Sequence, residues 1–193
     1  MRVLLIHCHP RTESFSAALR DTARHALEAA GHQVECRDLY AEGFSPALSA
    51  AEHRDYLDAS RHPPDVADHV AALQRADALL LVYPTWWYGL PAMLKGWFDR
   101  IWAPGVAFKL GDGAIEPLLT NIKRIGVITS YGSPLWLLWV IGWPDKKLIN
   151  RGLKRLCARD CRLEWLMLTR MDQRQAPERA AFLAKVKARL SRW

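Results

Sequence analysis

The chain has 193 residues, half of them hydrophobic and 24% charged, which fits one folded domain over residues 1–193 and excludes a disordered or low-complexity chain. The formal net charge of +7 is unevenly placed: residues 1–120 carry 11 Lys+Arg against 15 Asp+Glu, and residues 121–193 carry 16 against 5. No run reaches the roughly 18–20 apolar residues of a membrane span, and MRVLLIHCHP is too short and too histidine-rich for a signal peptide, so a cytoplasmic protein is expected.

Arg2–Cys8 (RVLLIHC) is a short apolar run, as in a buried parallel strand. Ser14 or Ser16 can cap a helix running to about Ala30, with Gly31 as its stop. Gln33–Leu39 alternates and reads as a second strand. Residues 40–64 are irregular, with a short helix near Ala50–Ser60, and Asp65–Ala76 is helical. Ala78–Tyr83 (ALLLVY) is the central strand, and Pro91–Trp102 is a helix with proline in its first turn. Residues 103–121 read as a long loop and Arg124–Thr129 as a fourth strand. An aromatic loop over 130–144, a basic helix over Asp145–Ala158, a fifth strand over Cys161–Met167 and a closing helix over Ala176–Ser191 complete the chain.

Five strands separated by helices imply an α/β three-layer sandwich: a parallel five-stranded sheet with helices on both faces. In such sheets ligands bind beyond the carboxyl ends of the strands, at the topological switch point. That rule points to the segments after Cys8, Tyr83 and Thr129. The cysteines Cys8, Cys36, Cys157 and Cys161 form no C-x-x-C pair and read as reduced thiols. A zinc site on Cys157 and Cys161 would lack two ligands, so no metal is expected.

The chain has no G-x-G-x-x-G and no P-loop, which disfavours a dinucleotide Rossmann site or an NTPase. After the first strand, HPRTESFSAAL instead offers His9, Arg11, Thr12, Ser14 and Ser16 at a helix start, a setting that can hold a phosphate. Plain N-capping by Ser14 or Thr12 accounts for the same residues equally well. After the central strand, YPTWWYGLPAMLKGWFDRIW places Thr85, Trp86, Trp87 and Tyr88 at a loop tip, where aromatic rings are costly to leave wet and a flat cofactor could cover them. Met93, Trp97, Phe98 and Trp102, at helical spacing, read as core. TSYGSP, residues 129–134, offers small and hydroxylated residues for the other edge of a planar ring, or an ordinary turn before proline.

HPRTESFSAAL, YPTWWYGLPAMLKGWFDR and TSYG together resemble the flavodoxin-like NAD(P)H:quinone oxidoreductases. That family includes the bacterial modulator-of-drug-activity B proteins and the ancillary quinone reductases of potassium efflux systems. The central segment is the specific one. The resemblance implies the flavodoxin-like strand order 2-1-3-4-5, a homodimer holding FAD, with FMN as the alternative, and two-electron transfer from NAD(P)H to quinones by a ping-pong route. It implies that His9, Thr12, Ser14, Phe15, Ser16 and Ala18 hold the flavin's phosphate and ribityl region. Pro84, Thr85, Trp86, Trp87 and Tyr88 would hold the isoalloxazine, and Thr129, Ser130, Tyr131 and Gly132 its pyrimidine side. Tyr131–Gly132 stands where better-known members have Gly-Gly, and all seven histidines lie at or before His69. A downstream histidine relay is thus excluded, and Tyr131 is the one candidate for a catalytic proton donor. A flavin-bound regulatory subunit of a membrane transporter is an alternative reading; an electron-transfer flavodoxin is another, at odds with the basic charge.

The basic second part of the chain suits nucleic acid, an anionic membrane or a phosphorylated ligand, and equally a solvated surface. No nucleic-acid motif accompanies it, so no such partner is expected. SPLWLLWVIGWPDKK combines Trp136, Trp139 and Trp143 with the cations that follow. It reads as a pocket lid or dimer contact, as core, or as a peripheral membrane contact through residues 135–155.

Overall fold

The computed structural model describes residues 1–58, 63–111 and 113–193. Five strands, β1 (Arg2–His7), β2 (Gln33–Asp38), β3 (Ala78–Pro84), β6 (Arg124–Ser130) and β7 (Arg162–Leu168), form one parallel sheet in the order β2-β1-β3-β6-β7. This is the expected 2-1-3-4-5 order once β4 (Phe108–Leu110) and β5 (Ile115–Pro117) are set aside as a separate antiparallel hairpin. The sequence reads as one loop over 103–121, because strands of three residues are too short to show a period of two.

β1 and β3 lie side by side, Val3 opposite Ala78 and His7 opposite Val82, and are buried on both faces. Alternate residues then serve opposite layers. Leu79, Leu81 and Tyr83 join Val70 and Leu73 of α3 (Ala67–Arg75) and Trp97, Phe98 and Ile101 of α4 (Ala92–Ile101). Ala78, Leu80 and Val82 join Leu19, Ala23 and Leu27 of α1 (Phe15–Ala29) and Phe182 and Val186 of α7 (Ala176–Leu190). Gly96 lets α4 press against the preceding loop: a Cβ there would lie 2.2 Å from the Pro46 carbonyl oxygen. Of the short helix expected over Ala50–Ser60, α2 covers Ala50–Asp55, capped by Ser49 and Glu52 in a reciprocal box; Ala59 and Ser60 lie outside the described residues.

The largest departures from the sequence reading fall in residues 130–158. The aromatic loop contains a helix, α5 (Leu135–Ile141), ended by Gly142 in the left-handed region at φ 85°. The basic helix over Asp145–Ala158 is not a regular one. It is α6 (Pro144–Lys147), then a π turn over Leu148–Gly152 and a 3-10 turn over Leu153–Leu156. Gly152, the poorest helix former short of proline, sits where the winding changes. Among the described residues no helix is long and apolar enough to cross a membrane.

Candidate functional site

A cleft of about 780 Å³ opens beyond the carboxyl ends of β1, β3 and β6. It is walled by His9 and Ser14–Ser16, by Pro84–Tyr88 and by Ser130–Ser133, with Met171, Asp172 and Arg179 closing one side. Twelve of the fifteen residues that the resemblance assigns to the flavin meet here, with Arg11 beside them; Thr12, Ala18 and Thr129 do not reach the wall. Thr12 is exposed and donates its hydroxyl to Glu13 at 2.9 Å. Ala18 lies half-buried one turn into α1. Thr129 is fully buried behind Thr85, their hydroxyls 2.8 Å apart.

The start of α1 separates two roles that the sequence leaves joined. Ser14 is the N-cap, its hydroxyl accepting the Ala17 N–H at 3.1 Å. Ser16 is buried against the cleft with its hydroxyl unpartnered among the described residues. A buried hydroxyl without a partner costs of the order of 1–3 kcal/mol, so a ligand acceptor here would be bound with that penalty relieved. The Phe15 and Ser16 N–H groups precede the first intrahelical bonds of α1 and add donors and positive potential. Arg179, from the first turns of α7, reaches the same cleft because Phe15 packs on Phe182, ring centroids 6.4 Å apart. No carboxylate among the described residues pairs with Arg179. His9 accepts the Arg11 N–H at 3.0 Å and stands 6.3 Å from the Trp86 ring.

The aromatic segment forms a tight reversal. Trp86 and Gly89 exchange backbone bonds of 3.2 and 3.0 Å, and Trp87 and Tyr88 between them both take left-handed conformations, φ 49° and 61°. That is the geometry of a two-residue hairpin turn that favours Asn and Gly, and each bulky residue held there costs of the order of 1 kcal/mol or more. Trp87 is thrown outward, 96% exposed. The Thr85 N–H bonds the Ser130 carbonyl at 2.9 Å, and Ser133 donates to the Tyr88 hydroxyl at 3.2 Å, tying the second wall to the third.

Beneath the third wall lies a carboxylate that sequence reasoning missed. Asp145 is 2% exposed and accepts from the Tyr131 hydroxyl at 2.7 Å, the Thr85 hydroxyl at 3.3 Å and the Lys146 N–H at 2.8 Å. Burial raises its pKa above the usual carboxylate range, against the lowering effect of these donors. Burial, and then the charge and hydrogen bond of Asp145, push the Tyr131 phenol well above its ordinary value. The Tyr131 proton is therefore held toward Asp145 and is a poor acid at neutral pH. In the sequence Asp145 stands beside two lysines and looks like a solvated helix start. Gly132 faces Asp172: a Cβ there would lie 2.8 Å from a carboxylate oxygen, so a larger residue would turn that exposed side chain aside.

The fold that carries this cleft is shared with known proteins. A family model described as flavodoxin-like fold matches residues 1–192. The chain is similar to an uncharacterized NAD(P)H oxidoreductase of Escherichia coli K12, YcaK: 32% identity over 158 residues, 81% of this chain and 76% of that one. It is 31% identical over 180 residues to NAD(P)H dehydrogenase (quinone) 1 of Rattus norvegicus, covering 81% of this chain and 64% of that protein, so it spans just under two thirds of this mammalian relative. Among solved structures, an NAD(P)H:quinone oxidoreductase from Methanothermobacter marburgensis superposes with a TM-score of 0.87 at 28% identity, over 99% of this chain and 98% of that one.

Proposed function

This chain belongs to the flavodoxin-like fold family, and from that premise we propose that it is a flavin-dependent NAD(P)H oxidoreductase passing two electrons to quinones or similar flat electrophiles. The observation that carries the reading is the meeting of three strand-end loops in one cleft, with the unpartnered Ser16 hydroxyl and the uncompensated Arg179 at its helix-start end. Its volume falls within the usual range of cofactor sites. The relatives' printed names agree with this chemistry.

The residues present fit a flavin. Ser16, the Phe15 and Ser16 N–H groups and Arg179 would bind the phosphate, with His9 beside them. Trp86 and Tyr88 would flank the ring and exclude water. Backbone donors of the tight turn and of residues 130–132 would orient its polar edges. A bound flavin would supply the hydride acceptor and donor, with donor and acceptor substrates taking turns at one face, hence a ping-pong route. Asp145 would hold Tyr131 and Thr85 in place, so Tyr131 serves to shape the pocket rather than to deliver a proton. FAD is the proposed form, with FMN the alternative, in a cytoplasmic homodimer.

The purified protein is expected to be yellow, to bleach anaerobically with NADPH and to recolour with a quinone. Mass spectrometry of the released cofactor separates FAD from FMN. A colourless protein that takes up no flavin on reconstitution overturns the reading.

A further inference from the structure

Helix α5 has the sequence LWLLWVI, apolar at every position, yet only Leu138 of it is buried. Trp136 is 62% exposed, Trp139 70% and Val140 75%, with Leu135, Ile141 and the nearby Leu148 exposed as well. Trp136, Trp139 and Val140 stand at i, i+3 and i+4 and share one outward face. An apolar patch of this kind left in water marks an interaction surface.

The rim of the patch says what would cover it. Lys146 places its ammonium 5.4 Å from the centre of the Trp143 ring, and Trp143 meets Trp139 edge-on with centroids 6.0 Å apart. Gly142, at the end of α5, lies against the Lys147 ammonium. Lys146, Lys147, Arg151, Lys154 and Arg155 follow in sequence, and none has a carboxylate at ion-pair distance among the described residues. Over residues 135–159 the one acidic side chain is Asp145, which is buried. A second copy of this chain meeting the patch across a two-fold axis would set these cations against their own counterparts. Tryptophan beside lysine and arginine is instead the composition of a bilayer interface, with rings at headgroup depth and cations on anionic lipid.

We propose that α5 and the cations after it form a docking surface for an anionic lipid bilayer. The face is joined to the candidate cleft: Trp143 also packs edge-on against Tyr131, centroids 6.1 Å apart, so rings run from the cleft wall to the exposed helix. Resting on the oxidoreductase reading, this makes the acceptor a lipid-dissolved quinone with an apolar tail.

The test is flotation of the full chain, with and without added flavin, on vesicles of phosphatidylcholine alone or mixed with phosphatidylglycerol. The wild type is expected to float with the anionic vesicles at low ionic strength and to be released by salt. Lys147→Gln plus Arg151→Gln is expected to weaken binding roughly thirtyfold, at about 1 kcal/mol per cation removed. Trp136→Ser plus Trp139→Ser is expected to abolish flotation while keeping flavin content and turnover of a short-chain quinone; loss of turnover of a long-chain quinone in vesicles completes the case. Absent flotation, equal flotation on neutral vesicles, or a tryptophan variant that floats like the wild type overturns the proposal. So does a fall in oligomer mass in that variant with unchanged flotation, which would assign the face to a second copy. Because flotation needs no flavin, its failure is separate from failure of the oxidoreductase reading.

Discussion

Arg20 and Arg100 on one side and the cations of the α5–α6 region on the other are put to opposite uses. Arg100 is buried and spends its whole fork inside the protein, on Glu52, on both oxygens of Asp65 and on the Ser45 carbonyl at 2.6–3.0 Å. Arg20 bonds Asp21 and Asp38, and Asp38 in turn bonds His7 at 2.8 Å. These groups fasten Ser45, α2 and Asp65 to α4, and the outer strand β2 to α1 and β1. Lys147 and Arg151 have no carboxylate partner among the described residues, and Lys146 rests on the faces of Trp143 and Trp165 rather than on a carboxylate. The difference teaches that a net charge of +7 says little until paired cations are separated from unpaired ones. The unpaired ones are available to an outside partner.

Removing Arg100 gives the largest expected effect. Arg100→Met strands Glu52 in a nearly buried position, and breaking a buried pair from one side costs about 3–5 kcal/mol. Urea unfolding measures it; a loss under about 1 kcal/mol would put Arg100 in the same class as a surface pair and erase the contrast. At Gly96, alanine forces α4 off Pro46, an overpacking expected to cost about 1–3 kcal/mol by the same measurement.

The next effect is one of pH. His7 is buried in β1, and burial lowers its pKa despite the Asp38 hydrogen bond and charge. The folded protein thus holds His7 neutral while the unfolded chain can protonate it. The stability it confers is complete above the unfolded value of about 6.5 and declines as pH falls below it. His69, lowered chiefly by burial and accepting from the Trp97 indole at 3.3 Å, acts in the same direction. The urea midpoint is expected to drop between about pH 7.5 and about pH 5, and to drop less in His7→Gln. The basic region, which has no histidine, contributes no such term.

Asp145→Asn sharpens the comparison from the other side. A raised carboxyl pKa means the charged form is penalised by folding, most fully above that pKa. Asparagine is therefore expected to raise thermal stability slightly at neutral pH and to weaken flavin binding, as the hold on Tyr131 and Thr85 slackens. Calorimetry and fluorescence titration read the two separately. The smallest effect belongs to Lys147→Gln plus Arg151→Gln, whose unfolding free energy should stay within about 0.5 kcal/mol of the wild type despite lost vesicle binding.

The parallel sheet was legible because ALLLVY and RIGVIT are buried on both faces and read as unbroken apolar runs between helical stretches. The cleft's three loops were legible because strand ends in such a sheet are where ligands bind. LWLLWVI was not legible as a helix, since a segment apolar at every position shows no 3.6-residue period. Arg179 joins the cleft through the packing of α7 on α1, and Asp172 through the turn after β7, whose Met171 N–H bonds the Tyr131 carbonyl at 2.9 Å; neither contact has a local signature. Ser14 and Ser16 could not be told apart, because capping depends on one backbone angle and the remaining hydroxyl on what covers it.

The turn at Trp87 and Tyr88 carries a consequence for anyone engineering this protein. Selection for heat resistance alone would write Asn-Gly there, relaxing two strained residues and removing a wholly wetted indole. In the proposed flavin site, the hardened product would lack Tyr88, one of the two rings assigned to flank the isoalloxazine. Where melting temperature and cofactor retention are screened together, this dipeptide is where the two scores should part company.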